Sequence, residues 1–429
     1  MNTNMDSLLS NEQNNMNEAI LTNIDNPSQL EKLYRDNKTI FKRSFNGIYP
    51  AISGKTTAQI WNERLNFESE EISWGSRNEL LIVLAIAFVA GLIARIPFMT
   101  DIREDLFYSR NISFIVFPLL TFYFAWKQKI QRQWLFMVVV AIIASVIYIN
   151  VLPDMETSDT VILACMHLPL FLWAMLGFVF SGGNLNNWSK RLEFLRYNGD
   201  LVVMTTIIVI SGMLLTVITF GLFTLIDIKM EEFYFQNVAI WGLAAAPIIG
   251  TFLVRTNPQL VSKVSPVIAK IFTPLVIITL VVYLIAIIST GKDPYNDREF
   301  LMIFNLLLVG VMAIILFSIV ETSKNSKNTI ETILLLVLSV VTVLVNGIAL
   351  SAIIFRIAEW GITPNRLAVL GGNILILTNL LIVAYRLFKS IQNRNEIDKV
   401  EKSIALYLPV YVIWTVIVVF VFPVVFGFK

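Results

Sequence analysis

From residue 80 onward the chain is a succession of apolar blocks, each near the length of a bilayer-crossing helix and set off by a short polar gap. A helix rises about 1.5 Å per residue, so about 20 apolar residues cross the hydrocarbon layer. Eleven blocks can be read: 80–98, 112–126, 134–152, 161–180, 201–226, 236–254, 267–289, 300–320, 331–354, 367–388 and 404–426. Runs such as Ile333-Leu334-Leu335-Leu336-Val337-Leu338 do not alternate, which argues against a membrane β-barrel. The predicted fold is an all-α polytopic membrane bundle of about eleven transmembrane helices. Block 112–126 is short and holds Pro118. If it is re-entrant, the count drops to ten and every later helix reverses.

Composition agrees. Of 429 residues, 56% are hydrophobic and 15% charged, against about 25% charged in a soluble domain. Mean hydropathy is +0.70. A soluble enzyme, a disordered chain and a fibre are excluded. There is one cysteine, Cys165, and one histidine, His167. A disulfide within the chain, a Cys/His zinc site and a cysteine-held iron–sulfur cluster are therefore excluded, and no cofactor is expected. No basic run marks a nucleic-acid partner. The bilayer is the expected partner, and oligomeric state is not legible.

Residues 1–79 are hydrophilic, with 8 basic and 11 acidic residues. They are expected to form a polar cytoplasmic tail ahead of a transmembrane domain over 80–429. Residues 1–30 lack apolar periodicity and predict a flexible tail. Residues 56–67 predict a short amphipathic helix, with Ile60, Trp61, Leu65 and Phe67 toward one side. It would lie on the membrane surface or pack on the loops. No apolar signal region precedes residue 40, so the first transmembrane helix is expected to direct insertion.

Orientation follows from loop charge. The loops after blocks 2, 4, 6, 8 and 10 hold 14 Lys and Arg, and those after blocks 1, 3, 5, 7 and 9 hold 7. This predicts a cytoplasmic N-terminus and an external C-terminus. The odd loops are also acidic, with Asp101, Glu104, Asp105, Asp154, Glu156, Asp159, Asp227, Glu231, Glu232, Asp293, Asp297 and Glu299. Trp74, Trp126, Trp134, Trp188 and Trp360 flank blocks, where indoles favour the headgroup level. No internal repeat points to a transporter's midplane site.

Several local patterns invite chemistry. Ser53-Gly54-Lys55-Thr56 resembles the end of a phosphate-binding loop, but Tyr49 stands where the first glycine is required. Cys165 and His167 are two apart on one helix and face different ways. His167 is read as a helix-to-helix hydrogen bond or a proton relay. Gly242, Ala246 and Gly250 form a small-residue stripe for close packing. Pro118, Pro169, Pro247, Pro274, Pro409 and Pro423 lie within blocks and break helix hydrogen bonds, so kinks that open a cavity are one reading of them. Arg95, Asp227, Lys270, Glu331, Arg356 and Arg386 lie near block ends, and no acidic residue falls at a block centre. That argues against a pump built on a central carboxylate. Central polar groups are amides and hydroxyls: Asn305, Asn346, Asn373 and Asn379, and threonines and Ser211 of the fifth block.

The densest constellation joins blocks nine and ten: Arg356, Glu359-Trp360-Gly361-Ile362-Thr363-Pro364-Asn365-Arg366, then Gly371-Gly372-Asn373. Gly361 can end one helix, and Thr363 with Pro364 can start the next. Arg366 would then oppose the helix dipole, and Glu359 is the expected partner for it or for Arg356. The hairpin is either a well-formed turn or an external anion or headgroup site made by Arg356, Glu359, Asn365 and Arg366.

This segment, R-I-A-E-W-G-I-T-P-N-R-L-A-V-L-G, resembles the "Y/W-G-x-T-x-x-R" turn of a bacterial multi-pass membrane family, domain of unknown function 4153. The resemblance implies a bacterial cytoplasmic membrane and assigns no catalytic or ligand residues. Three functional readings stand. The first is transport or permeation, with a water-filled cavity near Asn346 and Asn373. The second is a scaffold or sensor using the N-terminal tail. The third is a membrane enzyme acting on lipid or glycan carriers at the hairpin, with no visible metal cluster or nucleophile–base pair.

Overall fold

Helix starts follow side-chain caps. Ser76 accepts the Glu79 amide, Ser158 the Val161 amide and Thr363 the Arg366 amide, at 3.2, 3.3 and 3.3 Å. Each hydroxyl satisfies a donor that the first turn leaves free. The computed structural model of the chain describes residues 16–67, 75–100, 102–153, 158–184, 186–224, 231–262, 264–290, 295, 298–325, 329–392 and 397–428. The flank at Trp74 and the acidic residues Asp101, Asp154, Glu156, Asp227, Asp293 and Asp297 lie outside them. The described residues are helical, with no strand. The chain divides into two units, Met1–Ser73 and Trp74–Lys429.

Over residues 16–67 the first unit corrects the expectation of a tail with one short helix, while residues 1–15 of that expectation lie outside the described residues. It contains α1 (16–22), α2 (Pro27–Asp36), α3 (Lys38–Ile52) and α4 (Thr56–Phe67). Ile20, Ile24, Leu30, Phe41, Phe45, Ile52, Ala58, Trp61 and Leu65 form its buried core. Tyr34, Phe41 and Trp61 meet ring to ring. The apolar residues are sparse in sequence, yet four helices converge them. Trp61 and Leu65 face this core while Ile60 is exposed, and the Phe67 side chain lies outside the described residues. Asn26 and Asn37 cap α2 and α3. Ser53–Thr56 is the turn into α4, with no strand before it, and Lys55 pairs with Asp25 at 2.6 Å. A phosphate-binding loop is thereby ruled out.

The second unit runs α5 (Arg77–Ala94), α6 (Ile96–Met99), α7 (Glu104–Gln128), α8 (Arg132–Val151), α9 (Asp159–Phe180), α10 (Trp188–Thr224), α11 (Glu231–Tyr234), a π-turn (Phe235–Ala239), α12 (Ile240–Thr256), α13 (Gln259–Ser262), α14 (Val264–Thr290), α15 (Arg298–Asn325), α16 (Thr329–Trp360), α17 (Pro364–Gln392), α18 (Ile397–Val416), a second π-turn (Ile417–Val421) and α19 (Phe422–Val425). Among the described residues, eight helices are long and apolar enough to cross a membrane: α5, α8, α9, α10, α12 with its lead-in, α16, α17, and α18 with its extension. The count of about eleven is thus met by eight on this measure. Blocks two, seven and eight do lie in helices, namely α7, α14 and α15. Their described apolar stretches are shorter or more polar. Phe136, Val151, Val217 and Leu306 are exposed, which suits an outer surface solvated by lipid rather than water.

Two cores hold this unit. One joins α5, α7, α9, α10 and α12, with Phe124, Phe180, Phe194 and Tyr197 at its centre. The other joins α14, α15, α16, α17 and the start of α18. Smaller clusters tie α9 to the second π-turn and to α17. Tight approaches occur where a glycine receives a ring. A Cβ on Gly91, Gly199 or Gly371 would lie 2.2, 1.9 or 2.0 Å from Trp241, Phe317 or Trp414.

Side-chain bonds define two ends. At one, Glu79 accepts from Tyr123 at 2.7 Å and pairs with Lys127, joining the start of α5 to the end of α7. Arg255, ending α12, lies over Phe124 and Phe180. The more basic loops lie here, and we term it the basic end. At the opposite end Arg110, near the start of α7, is buried and donates to four carbonyls at the end of α8: Ile149, Asn150, Leu152 and Pro153, at 3.0–3.4 Å. Asn111 and Asn150 exchange two amide hydrogen bonds, at 2.9 and 2.8 Å.

Candidate functional site

The hairpin predicted between α16 and α17 forms. Gly361 has φ +76°, a backbone region that favours glycine, and its amide bonds Ile357 at 2.9 Å. The expected Arg–Glu359 pair does not form. Arg366 donates to the Trp360 and Gly361 carbonyls, at 2.8 and 2.7 Å. The negative end of α16 thus offsets a charge that α17 disfavours, and no carboxylate is needed. Glu359 is exposed. Arg356 and Arg366 lie 5.1 and 5.7 Å from the Trp360 ring. Asn365 is half-buried in the first turn of α17. The group is a stacked, capped turn.

The central amides pack between helices. Asn346, Asn373 and Asn379 are 0, 3 and 1% exposed. Asn346 donates to the Asn373 carbonyl at 3.3 Å, and Asn373 to Asn305 Oδ1 at 3.0 Å. Asn379 donates to the Tyr411 hydroxyl at 3.1 Å. These bonds tie α15, α16, α17 and α18. Side chains this buried line no water, so among the described residues no water-filled cavity is seen at Asn346 and Asn373. Each of the three amides donates across a helix contact, while Asn346 Oδ1 and Asn379 Oδ1 are buried without a hydrogen-bond partner. The His167 ring bonds the Leu163 carbonyl of its own helix at 2.9 Å, and not a neighbouring helix. The small-residue stripe is partly used: Ala246 and Gly250 are buried, with Gly250 against Leu201 and Thr205 of α10, while Gly242 meets nothing within 4 Å.

The structure instead places an open volume on the seam between the first core and α18. A pocket of about 450 Å³ lies among α8, α9, the start of α10 and α18. Its walls include Met137, Trp173, Phe178, Pro409 and Ile413, and Arg191 and Asn184 stand at its basic end. Such a volume is in the range of small-molecule sites. Met137 and Ile413 are 57 and 61% exposed, so the pocket opens on the lipid-facing side.

Proline chemistry explains how α18 is held there. Pro409 has no N–H for the Ala405 carbonyl four residues back. Arg191 of α10 takes that carbonyl at 2.9 Å. Pro423 likewise leaves the Val419 carbonyl, which accepts from Tyr148 of α8 at 3.1 Å. One turn before Ala405, Glu401 meets Arg196 at 3.1 Å, with side chains 8 and 20% exposed. Arg196 also donates to the Val320 carbonyl, near the end of α15, at 3.2 Å. So α18 is pinned near both ends by side chains from α8 and α10, and the pocket lies between the pins. The π-turn at Ile417–Val421 adds a second irregularity, a feature frequent at functional sites.

Arg191 and Arg196 entered the sequence reading only among the loop cations, and Glu401 did not enter it. One signal could have found the first: a proline inside an apolar block orphans the carbonyl four residues earlier, and a donor is required in lipid. Among the described residues no group of three or more His, Cys, Asp or Glu could hold a metal ion. The pocket can solvate hydrocarbon and meet a polar or anionic group at Arg191.

The fold and site define a polytopic helical membrane protein with an apolar pocket on an interhelical seam. No family model matches the chain, and no curated protein or solved structure matches it.

Proposed function

We propose that the protein is a transporter or permeation protein, with the seam pocket as its substrate site. The observation that carries this reading is a pocket walled by residues of the first core on one side and by α18 on the other. The pins Arg191–Ala405 and Arg196–Glu401 join that stretch of α18 to α10 by side chains. A hinge of this kind suits alternating exposure of one site. Eleven crossings are the accompanying topology, with the N-terminus cytoplasmic and the C-terminus external. The placing of α7, α14 and α15 in the bundle cores supports them, as does the two-to-one excess of basic residues on alternate loops. The hairpin at Trp360–Arg366 supports kinship with domain of unknown function 4153 and a bacterial cytoplasmic membrane.

The test is water access. In a Cys165→Ser background, a single cysteine is placed at Val412 on the pocket wall and, as a control, at exposed Lys129. A membrane-impermeant maleimide should label both, the pocket position faster when Glu401→Gln is added. A pocket cysteine that stays unlabelled in both backgrounds, while Lys129→Cys reacts, overturns the transport reading.

A second reading rests on the first unit. Its own core and exposed Leu21 and Ile60 suit a docking module for a protein partner. Deleting residues 1–67 should then abolish the phenotype while the membrane level holds, and an unchanged phenotype counts against it.

A further inference from the structure

The seam pocket has a sided chemistry that bears on what fills it. Its walls are apolar along α8, α9 and α18, and its lipid-facing mouth is formed by Met137 and Ile413. Its polar groups gather at one end only, where Asn184 and Arg191 stand beside Trp134. An indole at a helix start marks the headgroup level. There the loop after α9 packs on the loop after α7, with a Cβ at Gly183 falling 3.1 Å from Trp134 and 3.6 Å from Ile130. The α7–α8 loop contributes Lys129 and Arg132, both exposed and in no ion pair among the described residues. Lys127 and Lys190, by contrast, are spent on Glu79 and Glu193. Two such cations thus lie within about five residues of Trp134 in the chain, at the polar end of a hydrocarbon-walled slot that is open sideways to lipid.

Resting on the reading of the pocket as the substrate site, we infer that the occupant is an anionic phospholipid of the leaflet at the basic end. One acyl chain enters between α8, α9 and α18, and the headgroup phosphate lies by Lys129, Arg132 and Trp134. The hydrocarbon is matched by the walls, and the negative headgroup by the cations. A neutral headgroup meets the same walls without the charge term. Each Lys or Arg at such a surface is worth about fivefold in anionic-lipid binding.

The full chain is reconstituted into nanodiscs of equal parts phosphatidylglycerol and phosphatidylcholine, extracted in mild detergent, and the retained lipid is identified by native mass spectrometry. Phosphatidylglycerol should be retained in preference. Lys129→Asn, which keeps a residue tolerant of the left-handed φ of 49°, and Arg132→Gln should each cut that preference about fivefold. Ala174→Phe, which fills the pocket wall, should reduce retention of both lipids. Equal retention of the two lipids, or an unchanged preference in Lys129→Asn/Arg132→Gln, overturns the inference even if Ala174→Phe fails to fold. Added oleate displacing phosphatidylglycerol at equal concentration overturns the phospholipid assignment in favour of a free fatty acid. Lipid retained by a seam that never labels from water overturns transport alone. A labelled seam that retains no phosphatidylglycerol overturns the lipid alone.

Discussion

Glu401→Gln removes one charge from a largely buried pair while leaving its shape. Glu401 and Arg196 meet at 3.1 Å with side chains 8 and 20% exposed. Deleting one partner of a buried pair costs about 3–5 kcal/mol, because the other charge is stranded. Arg196 keeps its bond to the Val320 carbonyl at 3.2 Å, and the substituted side-chain amide would still offer it an acceptor. The lower figure, about 3 kcal/mol, is therefore expected. If that energy sits in the closed state of the seam, the opening equilibrium rises about a hundredfold, at about 1.4 kcal/mol per tenfold. Maleimide labelling of Val412→Cys reports local opening directly. Its rate should rise by about two orders of magnitude, and Arg196→Met combined with Glu401→Gln should be less than additive. A rate change below about threefold, or strict additivity, would show that the pair does not hold the seam closed.

Arg110→Met strips four carbonyls at and just beyond the end of α8 of this donor. Two short charge-assisted bonds at about 1.5–3 kcal/mol each, less the relief of burying a cation, leave a loss of about 3 kcal/mol. Melting in detergent should fall by several degrees and Arg110→Lys should recover part of it; an unchanged melting temperature refutes the assignment. Gly371→Ala would put a Cβ 2.0 Å from Trp414, whereas Gly212→Ala meets nothing within 4 Å. The first should cost about 1–3 kcal/mol, and equal melting of the two variants would refute the notch. In the first unit, hydrogen bonds from Arg64 and Arg35 hold the Glu31 carboxyl below its ordinary 4.5. A depressed carboxylate stabilises the fold above its unfolded pKa and loses that contribution as pH falls through the folded value. The protection of α2 amides in the full chain, relative to their intrinsic exchange at each pH, should thus fall as pH drops below about 4.5, and Glu31→Gln should abolish that loss of protection. A pH response unchanged by the substitution refutes the linkage.

Apolar blocks were legible because lipid leaves a helix no alternative: every backbone group must be satisfied within it. The hairpin at Gly361–Arg366 was legible for a local reason, since its cap, its proline and its glycine lie within six residues. Its electrostatics were not, because the α16 carbonyls compete with Glu359 for Arg366 and sequence spacing does not show them. The first unit was read as a tail since its core residues, from Ile20 to Leu65, are spread among polar ones and converge only on folding. The central asparagines stood out in sequence, yet they serve packing. The pocket was invisible for the opposite reason. Its walls are ordinary apolar residues from α8, α9 and the start of α10 together with the distant α18, and the arginine pins lie upstream of the apolar block of α10.

Arg110 and Asn111 carry a consequence for how the protein is made. Both lie in α7, and all their bonds described above reach forward to residues 149–153, on a helix not yet synthesised when α7 emerges. Were α7 to enter lipid before α8, it would carry a bare guanidinium and a bare amide. The two helices are therefore expected to leave the insertion machinery together, as one hairpin. The order of translation, and not only the folded contact, is written into that arginine.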